Sequence, residues 1–173
     1  MNDKRLYDFL IGERTNYRGI TIQEIWNFSD KQLESCHNYI QWLFPLTEPS
    51  LFNPIAPFVE NISMFDNQTI RDNMITSLTV MCNFYGFTVS VTQHGISKIV
   101  KSDDFLLKAK NWLTVRNHNY LRLTRILLSL QLFGLKKEAE LLFTVLQDIY
   151  DDYKDVIGDI SYNYWKEAAE KYL

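Results

Sequence analysis

The sequence predicts a mainly α fold: a single domain over 1–173, a bundle of about six to seven helices with an ordered Pro-rich loop at 45–58. Three observations predict it. Helix-start signals recur along the chain, apolar residues follow them at 3–4 spacing, and a breaker cluster is confined to one place. All four prolines, Pro45, Pro49, Pro54 and Pro57, fall within thirteen residues. Proline has no backbone donor and cannot continue a helix, so this stretch is an irregular segment between two helical halves. Its apolar residues Leu46, Leu51, Phe52, Ile55 and Phe58 predict a loop packed on the domain rather than a solvated linker.

Thr21 with Glu24 predicts a capping box for a short helix ending near Trp26. Ser29 with Gln32 predicts a second, over about Asp30 to Phe44, terminated by Pro45. Leu33, Cys36, Ile40 and Leu43 would form its buried stripe, and Asp30, Glu34, His37 and Gln41 a polar row beside it. After the loop, Asp66 or Asn67 can cap a helix running to about Tyr85, with Ile70, Met74, Leu78, Met81 and Tyr85 on one face. Gly86 supplies its left-handed end. Alternation through Phe87–Val91 and Ile96–Val100 around His94-Gly95 predicts one small β-hairpin at about 87–100, with an unpaired extended loop as the alternative.

Ser102-Asp103-Asp104 reads as the cap of a helix bearing Phe105, Leu106, Ala109 and Trp112. From about His118 to Phe133 the pattern is apolar on most sides, which places that helix at the centre of the fold. Gly134 ends it, and the next helix begins at once, giving an αα-hairpin over 118–153. Gly158 precedes a last amphipathic helix with Tyr162, Trp165, Ala169 and Tyr172.

Composition limits function. Of 173 residues, 46% are hydrophobic and 23% charged, with net charge −3, so no whole-domain attraction to nucleic acid or an anionic membrane is expected. No apolar run approaches the ~20 residues of a membrane span, and the first residues are too short and acidic for a signal peptide. An intracellular, cytoplasmic protein is the expectation. Cys36 and Cys82 lack metal-type spacing and read as small core hydrophobes. The tryptophans Trp26, Trp42, Trp112 and Trp165 each fall on an apolar stripe and read as core anchors.

Catalytic motifs are missing. His37, His94 and His118 have no partner at metal-ligand spacing, and no nucleophile elbow, phosphate loop or dinucleotide fingerprint occurs. Asp103-Asp104 opens a helix and Asp151-Asp152 reads as an exposed acidic turn. No catalytic residue, metal ligand or cofactor is assigned. What remains is a polar ridge on the central helix, His118, Arg122, Arg125 and Ser129, with Arg116 and Asn119 just upstream. A buried arginine needs a carboxylate or several carbonyls. The expected partners are Glu34, His37, Gln41 and, from the loop, Glu48 or Asn53. Three readings follow: a structural network, a pocket for an anionic or peptide ligand, or a catalytic site. A nucleic-acid module is a weaker alternative, resting on a basic bias through 98–125.

One more signal lies in the spelling itself. The stretch Tyr39-Ile40-Gln41-Trp42-Leu43-Phe44-Pro45-Leu46, then Glu48-Pro49, resembles the signature of the opioid growth factor receptor conserved domain. A second block agrees: Trp112, His118-Asn119, Leu121-Arg122-Leu123-Thr124-Arg125-Ile126-Leu127, Ser129-Leu130 and Gly134-Leu135, with Phe84-Tyr85-Gly86 between. The resemblance implies a non-enzymatic, receptor-like module for an opioid growth factor peptide of Met-enkephalin type. In animal members it implies association with the nucleus and its membranes. It transfers no ligand-contacting residue. The expected site joins both halves of the signature: His37, Gln41, Trp42, Glu48 and Asn53 facing His118, Arg122, Arg125 and Ser129. A peptide or small anionic ligand is the expected partner, and an enzyme of unrecognised class using the same polar row is the alternative.

Overall fold

The computed structural model describes residues 2–51 and 53–171. Phe52 and Tyr172, both expected to pack, lie outside the described residues. The chain forms two compact units, Met1–Ser77 and Leu78–Leu173. The fold is mainly α with one small antiparallel sheet.

The first unit contains α1 (Asn2–Leu10), α2 (Ile22–Trp26), α3 (Asp30–Ser35), α4 (Ile40–Leu43), a 3-10 turn (Ile62–Phe65) and the start of α5 (Gln68–Tyr85). Helix α1, with Leu6, Phe9 and Leu10 fully buried, is not anticipated by the sequence reading. It packs on α4 and on the 3-10 turn. Both expected capping boxes are present, Thr21 with Glu24 and Ser29 with Gln32. The Glu24 carboxyl is held below its ordinary range by the Thr21 backbone N–H. Asn67 caps α5 through its amide oxygen, which accepts from the Thr69 and Ile70 N–H groups. Trp26 is only half-buried, and its indole donates to Ser77 Oγ at 2.9 Å.

The single helix expected over 30–44 is instead two. Cys36 leaves the helical region (φ −86, ψ 128), and α4 begins only at Ile40. The Tyr39 hydroxyl donates to the Leu33 carbonyl at 2.9 Å, an attachment that takes up one of the terminal α3 acceptors a continuing helix would have used itself. The polar row Asp30–Glu34–His37–Gln41 therefore does not form along one helix, and Cys36 sits half-buried at a helix end. Helix α4 stops where expected, because Phe44 precedes proline and is held outside the α region (φ −132, ψ 71).

The proline loop is closed at its base by Val59 N–H donating to the Leu46 carbonyl at 2.8 Å. Pro45, Ala56, Pro57 and Val59 are buried. Leu51 and Ile55, expected to pack inward, are 92% and 73% exposed. The turns that bring Ala56 N–H onto the Asn53 carbonyl and Asn53 N–H onto Ser50 Oγ direct them outward. Asp3 fixes the end of the loop: its buried carboxylate accepts from Glu60 N–H at 2.9 Å and Asn61 N–H at 3.0 Å.

In the second unit, the rest of α5 ends at Gly86 (φ 84). The face Leu78, Met81 and Tyr85 is buried, as are Ile70 and Met74 in the first unit. Strands β1 (Phe87–Thr92) and β2 (Gly95–Lys101) form the expected hairpin, with a register irregularity at Ser90/Val91. Helix α6 (Phe105–Ala109) is shorter than expected and omits Trp112. The Ser102 hydroxyl donates to the Gly86 carbonyl at 2.8 Å instead of capping that helix. The αα-hairpin forms as α7 (Asn119–Leu132) and α8 (Lys136–Ile157), joined across Gly134 (φ 76). Helix α9 (Asp159–Glu170) packs on both, and β2 packs on α8. Asp151 and Asp152 lie on the exposed side of α8 rather than in a turn, with Lys101 Nζ 2.9 Å from Asp152.

Rings fill this core. Trp112 meets Tyr85, Phe87, Phe105 and Tyr120 edge-on. The Trp112 indole donates to the Tyr85 carbonyl, and Trp165 donates to that of Tyr120. Each buried ring nitrogen is thus satisfied.

Candidate functional site

A cavity of about 260 Å³ opens in the first unit beside the proline loop. Asn16, Tyr17 and Arg18 line it from the α1–α2 connection, and His37, Asn38, Gln41 and Trp42 from α4 and the turn before it. The loop adds Asn53, Ile55 and Ala56. Four of the expected site residues, His37, Gln41, Trp42 and Asn53, are thereby brought together. Glu48 is exposed on the loop and is not among the lining residues.

The wall contributed by residues 16–18 is a small self-bonded turn. The buried Asn16 amide oxygen accepts from Arg18 N–H at 2.8 Å and Ile20 N–H at 3.1 Å. Arg5 donates to the Asn16 and Thr15 carbonyls and sets its guanidinium 4.5 Å from the centre of the Tyr17 ring. Tyr17 meets Trp42 edge-on at 5.1 Å, and Trp42 meets Phe9 at 4.9 Å. The lining is therefore partly aromatic, with the half-exposed Tyr17 set against a Trp42 that is buried in the core. The Arg18 guanidinium has no carboxylate partner among the described residues.

Among the described residues, three buried side-chain atoms have no hydrogen-bond partner, Arg5 Nε, the Gln41 oxygen and the Gln131 oxygen, and of these residues Gln41 lines the cavity. Gln41 is 6% exposed, and its amide oxygen is buried with no donor among the described residues. Native interiors pair nearly all such atoms, because an orphaned buried acceptor costs about 1–3 kcal/mol. Asn16, Tyr17 and Arg18 were missed from the sequence. The turn-forming spelling Asn-Tyr-Arg-Gly before the Thr21 cap was the available signal.

The other expected residues belong to the second unit. Arg122 is 6% exposed and donates through Nη1 to Asn119 Oδ1 at 3.2 Å. Asn119, fully buried, also receives the Tyr85 hydroxyl at 3.4 Å, and its Nδ2 donates to Asn117 Oδ1 at 2.9 Å. The Asn119 amide oxygen is therefore one acceptor for this guanidinium, supplied by its own helix. Ser129 is buried, Arg125 half-buried, and His118 exposed at the start of α7. Because Arg122 is buried, it cannot join Lys110 and Arg116 on an exposed basic face of the kind a nucleic-acid module needs. Burial drives the Cys82 thiol far above its ordinary range, consistent with an inert core residue.

Among the described residues, no cluster of three or more His, Cys, Asp or Glu side chains could hold a metal ion, and no helix is long and apolar enough to cross a membrane.

The family model described as the opioid growth factor receptor (OGFr) conserved region matches residues 6–170. The opioid growth factor receptor of Rattus norvegicus is 33% identical over 123 residues, which are 68% of this chain and 21% of that protein. The receptor of Homo sapiens is 33% identical over 123 residues, 68% of this chain and 18% of that protein. An opioid growth factor receptor-like protein 1 of Xenopus tropicalis is 32% identical over 122 residues, 67% of this chain and 23% of that protein. The match spans about a fifth of the length of these curated relatives. No solved structure is significantly similar to the chain.

Proposed function

Because this chain belongs to the opioid growth factor receptor conserved-region family, we propose that it is a non-enzymatic binding module whose ligand is a short peptide, held in the cavity beside the proline loop. The observation that carries this reading is Gln41, which lines the cavity together with Tyr17 and Trp42 and whose buried amide oxygen has no donor among the described residues. A peptide offers what such a wall lacks: amide N–H donors together with apolar side chains. The relatives named as opioid growth factor receptors, together with the resemblance that implies a peptide of Met-enkephalin type, make Met-enkephalin the first ligand to try.

Titration of the 15N-labelled chain with Met-enkephalin tests the reading. Saturable shifts confined to the Gln41 side-chain amide, the Trp42 indole and the backbone of 16–18 are expected. No change at millimolar peptide, or shifts elsewhere only, removes the opioid peptide as ligand of this cavity.

A further inference from the structure

We infer that the cavity reads the C-terminal residue of a peptide, with the last amide N–H donated to Gln41 and the terminal carboxylate held by Arg18 beside His37. This rests on the peptide reading above and adds which end of the chain enters and what fixes it.

The size limits the occupant first. A volume of about 260 Å³ is below the ~300–1,000 Å³ of sites that enclose drug-sized ligands. It accommodates one residue and its flanking backbone, not a whole pentapeptide. The charge sets the polarity. The lining contains the Arg18 guanidinium and the His37 imidazole, and no Asp or Glu. A ligand ammonium would find no counter-charge here, whereas a carboxylate meets a guanidinium that has no carboxylate partner among the described residues.

The Gln41 oxygen supplies the second constraint. It needs a donor, so a bare anion such as sulfate leaves it orphaned. A ligand must bring an N–H and a negative charge into the same small space. The C-terminal residue of a peptide carries both on adjacent atoms. Its side chain then meets Tyr17, Trp42 and Ile55, which favours an apolar or aromatic terminal residue.

The preceding residues have a route out. A shallower depression shares Tyr17, Ile55 and Ala56 with the cavity and continues over Pro54 and Phe58 to Glu60. The two depressions together make a track that is cationic where the carboxylate would sit and acidic at its far end. That is the polarity of a short peptide with free termini.

The test uses fragments that do not depend on any particular peptide: N-acetyl-phenylalanine, its primary amide N-acetyl-phenylalaninamide, and 3-phenylpropanoate, which lacks the N–H. Binding is read by 15N shifts of the full chain at the Gln41 side chain and the Arg18 Nε. The acid is expected to bind at least about tenfold more tightly than the amide and than 3-phenylpropanoate, since each control lacks one of the two polar contacts. Arg18→Gln, at an exposed position, should keep the melting temperature and abolish the preference for acid over amide. Equal binding of acid and amide, an unaltered preference in Arg18→Gln, or no shift at Gln41 overturns the inference. Fragments that fail while Met-enkephalin binds would overturn it and leave the peptide reading standing. Fragments that bind while Met-enkephalin does not would support it and remove only the opioid ligand.

Discussion

Replacing Gln41 by methionine separates a binding residue from a structural one by the sign of a single measurement. The two side chains are similar in length and volume, so packing against Trp42 is retained and the polar amide is removed. In the folded chain the Gln41 oxygen is buried and has no donor among the described residues. Such an orphan costs about 1–3 kcal/mol, and replacing it by an apolar group of similar shape relieves part of that cost. Gln41→Met is therefore expected to leave unfolding free energy unchanged or to raise it by about 1 kcal/mol. For a chain of this size that corresponds to roughly 2–4 °C in Tm. Urea denaturation with an unchanged m value, together with calorimetry, measures it. Had Gln41 been tied into a structural network, deleting its amide would strand a buried partner and lower stability by about 1–3 kcal/mol. A loss of more than about 1 kcal/mol thus refutes the reasoning, and with it the case for a ligand-directed amide. The same variant should lose the N-acetyl-phenylalanine response, giving the stability–function trade expected of a binding site.

Other perturbations test the scaffold around the site. Asp3→Ala strips the loop end of two backbone hydrogen bonds to a carboxylate and should cost about 2–3 kcal/mol in urea unfolding, with faster amide exchange at Glu60 and Asn61. Gly86→Ala would place a methyl group 3.0 Å from the Phe105 Cα at φ +84, and a loss of about 2–4 kcal/mol is expected; wild-type stability in that variant would contradict the left-handed helix end. Burial pushes the Tyr120 phenol up to about 12. Its ordinary value near 10 applies to the unfolded chain, so its contribution is complete below about pH 10 and is lost as pH rises toward 12. Ultraviolet titration of wild type against Tyr120→Phe should show one late-titrating phenol lost while that of Tyr150, raised by its hydrogen bond to Asp159, remains; an ordinary midpoint for Tyr120 would contradict its burial.

What the chain determined by itself is local or nearest-neighbour. Capping boxes at Thr21 and Ser29, the Asn67 cap, the hairpin around His94-Gly95 and the αα-hairpin across Gly134 were legible, because each depends on a few adjacent residues and a period of two or 3.6. The family spelling was legible for the same reason. Four residues of the cavity wall, His37, Gln41, Trp42 and Asn53, were found among the polar and signature positions around the loop. Tertiary structure decided the rest. The apolar pattern 30–44 is helical throughout, yet a Tyr39 hydroxyl on the Leu33 carbonyl goes with a break into two helices, and the polar row is lost with it. Arg122 donates to Asn119, three residues before it, an acceptor in its own helix that residue type alone did not indicate. The opposite wall of the cavity, Asn16 to Arg18, is assembled by hydrogen bonds from Arg5 and by an edge contact with Trp42. Burial of a donor or acceptor is a property of what surrounds it, which no window of sequence contains. For that reason the position of Gln41 could be read from the sequence, while its unmatched oxygen could be seen only in the fold.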